Sequence, residues 1–78
     1  MIEMRGADQR RALELLAGNP YGLTEAVLQA HGFTIELLVD LIRDGLASAA
    51  PERVRAGRQP IEVSRMRITE AGQQALAG

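Results

Sequence analysis

Hydrophobic residues recur at helical spacing in the first half of this chain and take on strand-like spacing only after Gly45. Ala12, Leu13, Leu15 and Leu16 gather on one side of a helix predicted over about residues 8–17. Asp8 is its expected N-cap, because a short carboxylate can accept hydrogen bonds from the free N–H groups of the opening turn; Gly18 and Asn19-Pro20 then stop it. Thr24-Glu25 repeats the device with a capping hydroxyl and an acid favoured by the positive end of the helix dipole. The stretch EAVLQA thus predicts a short second helix within residues 24–31, with Ala26, Val27 and Ala30 available for burial. His31-Gly32-Phe33 breaks it, Gly32 supplying a left-handed turn. Thr34 caps a third helix over residues 34–44, where Ile35, Leu38, Leu41 and Ile42 fall at i, i+3, i+6 and i+7 and define one apolar stripe.

Beyond Gly45, LASAAPERVRAGRQPIEVSRMRIT predicts a β-hairpin over about residues 46–68, with a loose turn from Ala56 to Pro60. Ile61 and Val63 share one parity and Met66 and Ile68 the other, so a bulge near Ser64-Arg65 is expected, and Pro51 implies an edge or an irregularity. Thr69-Glu70 opens a last helix over residues 70–77, anchored by Leu76. The predicted class is α+β and mainly helical, a single domain of 78 residues in the order helix, helix, helix, strand, strand, helix.

Composition narrows the chemistry. Tyr21 and Phe33 are the only aromatics, both expected in the core, and such a core yields less buried area per residue, so a homodimer or protein partner is expected to add burial. With no Cys, one His, no Gly-rich phosphate loop and no paired carboxylates in an evident pocket, no enzyme constellation, metal site or cofactor is predicted. His31 is read as a helix-end cap rather than a catalytic or metal-binding group. The opening MIEMRGADQ lacks a signal-peptide layout and no apolar run is long enough to span a bilayer, so the expected location is cytoplasmic, without membrane contact.

The net charge of −1 conceals an uneven distribution. Residues 1–44 hold four arginines against seven carboxylates, whereas residues 45–78 hold five arginines against three. Every basic residue is arginine, which a GC-rich genome explains as well as a need for bidentate phosphate contacts.

The run GLTEAVLQAHGFTIELLVDLIRDGLA, then a hairpin, then RITEAGQQAL, resembles the winged helix-turn-helix superfamily, particularly the MarR-like and PadR-like bacterial regulators. Leu41-Ile42-Arg43-Asp44-Gly45-Leu46 is similar to that family's L-x-x-x-G-L/I junction from recognition helix to wing. Ile68-Thr69-Glu70-Ala71-Gly72 is similar to its L-T-x-x-G junction from wing to closing helix. The resemblance implies a minimal winged helix that binds double-stranded DNA and regulates transcription. The regulators' extra helices for dimerisation and ligand sensing have no space in 78 residues.

On that reading Thr34, Glu36 and Arg43 face the major groove from the recognition helix, and Arg53, Arg55, Arg58 and Arg65 hold phosphates from the wing. Arg53/Arg55 and Arg65/Arg67 would each occupy one face of their strand, and Arg58 beside Gly57 resembles a minor-groove probe. The same arginines also suit a solvated edge that discourages strand addition. Glu36, Asp40 and Asp44, at i, i+4 and i+8, form a ridge that repels phosphate. That ridge fits a solvated face, a protein contact, or DNA binding with Glu36 accepting from a cytosine amino group. The competing function is therefore a winged helix for protein association or dimerisation without DNA binding, through Ile35, Glu36, Val39, Asp40 and Asp44.

Overall fold

The computed structural model describes residues 4–77, with side chains from Gly6 onward. Its elements are α1 (Met4–Ala17), β1 (Leu23–Thr24), α2 (Glu25–Ala30), α3 (Ile35–Arg43), β2 (Ala47–Ala56), β3 (Gln59–Ile68) and α4 (Glu70–Ala77). The class is α+β: four helices and one antiparallel sheet in the order β1-β3-β2. Ala12, Leu13 and Leu16 of α1, Leu28 of α2, Leu37, Leu38 and Leu41 of α3, Ala47 and Met66 of the sheet, and Phe33 make the core.

Two helices close with the same device. Leu46 N–H donates to Leu41 O at 2.9 Å and Gly45 N–H to Ile42 O at 3.0 Å; likewise Phe33 N–H donates to Leu28 O at 3.2 Å and Gly32 N–H to Gln29 O at 2.9 Å. Both are Schellman endings, with the glycine at positive φ (Gly45 76°, Gly32 96°), conformations that cost a Cβ-bearing residue. The spacing L-x-x-x-G-L is therefore the capped last turn plus the apolar contact that seals it. Thr24 and Thr34 start α2 and α3, accepting from Val27 N–H at 3.3 Å and Leu37 N–H at 3.1 Å.

The second junction meets the first in space. Thr69 Oγ1 donates to Gly45 O at 2.7 Å and accepts from Gly72 N–H at 3.0 Å, while Thr69 N–H donates to Leu46 O at 3.1 Å. A Cβ on Gly72 would lie 2.2 Å from Leu46 O, so α4 sits against the α3–β2 corner only because that position has no side chain. The two sequence signatures are the halves of one hydrogen-bonded corner.

Several expectations are corrected. Helix α1 already runs at Met4, and Asp8 is inside it, its carboxylate accepting from Arg11 Nη1 at 3.3 Å. Helix α1 also packs against α4, where Arg10 Nη2 donates to Leu76 O at 3.0 Å. In α2 only Leu28 is buried; Ala26, Val27 and Ala30 point outward because six residues present a single inward position. The buried arc of α3 is Leu37, Leu38 and Leu41, which leaves Ile35 and Ile42 at its exposed margin. Tyr21 is 83% exposed instead of packed, since the chain uses its backbone there: Tyr21 O accepts from Arg67 Nε at 3.3 Å. The short strand β1, unforeseen, pairs Leu23 with Met66 and Thr24 with Arg65.

The hairpin has neither the loose turn nor the bulge. Pairing runs unbroken from Ala47↔Ile68 to Ala56↔Gln59, which leaves Gly57-Arg58 as a two-residue turn. Positive φ occurs at Gly57 (65°) and at no non-glycine among the described residues, the pattern of a type II′ turn. The pair flanking such a turn is hydrogen-bonded, and alternation then places Pro51 and Pro60 in non-hydrogen-bonded pairs, where a missing N–H disrupts no ladder bond. The parity switch between Ile61/Val63 and Met66/Ile68 marks where the core ends: Met66 and Ile68 pack at the base, whereas Ile61 and Val63 turn to the opposite face beyond it. The hairpin projects, and the molecule measures 49 × 24 × 20 Å.

Candidate nucleic-acid interface

Register decides what each hairpin arginine can do. Alternation along the unbroken ladder puts Arg53 and Arg55 on the face that continues Met66 and Ile68, and Arg65 and Arg67 on the other. Each pair shares one face of its strand, as expected, but the two pairs back away from each other instead of forming one patch.

Arg65 and Arg67 are committed within the fold. Arg65 Nε forms an ion pair with Glu52, its diagonal neighbour on the same face, and Arg65 Nη1 donates to Gly22 O at 3.1 Å. Arg67 Nε reaches Tyr21 O. Together they tie the α1–β1 connection to the base of β3, so of the predicted phosphate contacts Arg65 is a clamp first. Arg53, Arg55 and Arg58 are exposed, and none forms an ion pair or hydrogen bond among the described residues. Glu62 stands directly across from Arg53 and lowers the local potential, which leaves Arg55 and Arg58 as the strongest positive positions.

Helix α3 has a different surface. Ile35, Val39 and Ile42 are 41%, 43% and 40% exposed and, at i, i+4 and i+7, form an outward apolar ridge. Glu36 and Arg43 flank it, both exposed and without an ion pair among the described residues. Thr34 spends its hydroxyl oxygen on Leu37 N–H. Asp44 is the exposed C-cap and Asp40 is half-buried, so the three carboxylates do not form one uniform ridge. Asp8 of α1 joins Thr34, Glu36 and Asp40 around a shallow acidic groove. His31 caps α2: its backbone N–H lies 3.1 Å from Val27 O and its Nδ1 donates to the same carbonyl at 3.1 Å.

Ile35 and Val39 face outward, as the protein-association reading expects; the exposure of Ile42 and Tyr21 is what the sequence does not signal. Ile42 lies on the expected core stripe and Tyr21 is expected in the core, yet both are exposed, as is Ile61 on its strand. Spacing places a residue on an arc without revealing which arc meets a neighbour. Among the described residues no group of three or more His, Cys, Asp or Glu could hold a metal ion, and no helix is long and apolar enough to cross a membrane. No protein-family model, curated protein or solved structure matches the chain.

Proposed function

We propose that this chain is a minimal winged helix-turn-helix domain that binds duplex DNA as a transcriptional regulator of a bacterial cytoplasm. In this reading α2, the Gly32 turn and α3 are the helix-turn-helix, β2–β3 is the wing, and the wing supplies most of the affinity. One observation carries it: Arg53, Arg55 and Arg58 stand exposed and unpaired, among the described residues, on a hairpin that projects beyond the core. Such arginines neutralise phosphates and release condensed counterions on binding. From α3, Arg43 is the remaining groove contact, because Thr34 caps the helix and Glu36 repels the backbone. The domain therefore tracks DNA backbone more than it reads bases.

Fluorescence anisotropy with a mixed-sequence duplex, repeated across salt concentrations, tests the proposal. The expected result is binding at low salt that weakens steeply as salt rises, and loss of binding when Arg55→Glu and Arg58→Glu are combined. A wild-type chain without duplex affinity at low salt overturns the function, and a double variant that binds like wild type overturns the site. A second reading, in which the fold associates with protein through α3, draws on the exposed Ile35, Val39 and Ile42.

A further inference from the structure

We infer that α3 is the interface of a homodimer, two copies packing antiparallel through Ile35, Val39 and Ile42; this rests on the second reading, α3 as a protein-docking face. The arrangement of charge beside the ridge selects a second copy as its occupant. Glu36 stands three residues before Val39 and Arg43 four after it, and at about 100° per residue both fall on the same flank of the ridge. A two-fold axis perpendicular to the helices near Val39 therefore sets each Glu36 opposite the partner's Arg43, twice over by symmetry. A parallel pair would carry this flank to opposite edges of the interface in the two copies, so neither Glu36 nor Arg43 would meet an opposite charge, and the surface is complementary to itself in one direction only. The antiparallel direction also opposes the two helix dipoles. Asp40 and Asp44 lie farther round the helix, away from the ridge.

Val39 packs at the centre, between Ile35 and Ile42 of the other copy. The helix is short, about 13 Å for nine residues, so the area is below that of an obligate interface and the dimer is concentration-dependent. Pairing buries the helix that a groove reader would insert and leaves both wings outside.

Sedimentation equilibrium of the whole chain across a concentration series, with circular dichroism to verify folding, tests the inference. Wild type is expected to dimerise. Glu36→Arg alone and Arg43→Glu alone should each weaken the dimer roughly tenfold or more, the two together should recover it, and Val39→Asp should abolish it. All the substituted side chains are exposed, so each variant is expected to keep the fold, which circular dichroism checks. A wild type that is monomeric even at millimolar concentration overturns the second copy as occupant. A dimer indifferent to Val39→Asp overturns α3 as a docking face altogether. Singles that weaken the dimer without rescue by the double variant overturn the antiparallel direction.

Discussion

The two halves of the hairpin share one ladder and one arginine-rich composition but behave as different materials. At the base, Ala47 and Met66 are buried, β1 adds a third strand, and Arg65 and Arg67 are held by backbone carbonyls of the α1–β1 connection. At the tip, past Pro51 and Ser64, every residue but Val54 and Val63 is exposed, and Arg53, Arg55 and Arg58 are unpaired among the described residues. The difference teaches that an arginine's role on a strand depends on how far the strand has left the core. At the base an extended guanidinium finds fixed carbonyls to satisfy, whereas at the tip water is its partner until a ligand displaces it.

Substitutions can break this contrast. The largest stability loss belongs to the core that supports the base: Leu41→Ala, at a fully buried position in α3, should cost about 2–5 kcal/mol by denaturant midpoint. Next comes the corner that positions the hairpin, where Gly72→Ala should cost about 1–3 kcal/mol, since the new Cβ meets Leu46 O and Ile68 Cγ1 with little room to shift. Arg65→Ala should cost about 1 kcal/mol, through loss of the bond to Gly22 O more than of the partly exposed pair with Glu52. Smallest of all, Arg55→Ala and Arg58→Ala should change stability by less than about 0.5 kcal/mol. In a salt titration of duplex binding each should lower the slope by about one. If Arg55→Ala destabilised the fold as much as Arg65→Ala, the distinction between base and tip would be wrong.

Legibility followed the range of the forces. Thr24, Thr34 and Thr69 cap helices by bonds that span three residues, and Gly32 and Gly45 end helices by bonds within one turn, so a reader of the sequence could place α2, α3 and α4 to within a residue or so. Helix α1 was harder, because it starts at Met4 and Asp8 gives its carboxylate to Arg11 inside the helix instead of capping it. The position of the hairpin is legible, but its two-residue turn and the unbroken ladder through the parity switch are not. The sequence records alternation without recording where the covering layer stops.

The candidate site divides the same way. That Arg53, Arg55 and Arg58 lie around a hairpin end could be read from their positions next to Gly57. That Arg65 is a clamp could not, because Gly22 lies 43 residues away along the chain. Ile35 and Val39 could be read as an outward surface, but Ile42 could not be distinguished from the core stripe, since α3 offers two apolar arcs and only its packing partners choose between them.

The sequence by itself therefore determined the α+β class, the helix ends and the hairpin, because caps, Schellman glycines and turn residues act within a few bonds of the residues they govern. Tertiary structure decided which arc of α3 is buried, which arginines are spent inside the fold and how far the hairpin stands clear of the core. Each of those depends on groups that meet only after the chain has closed on itself, as Thr69 meets Gly45 and Arg67 meets Tyr21.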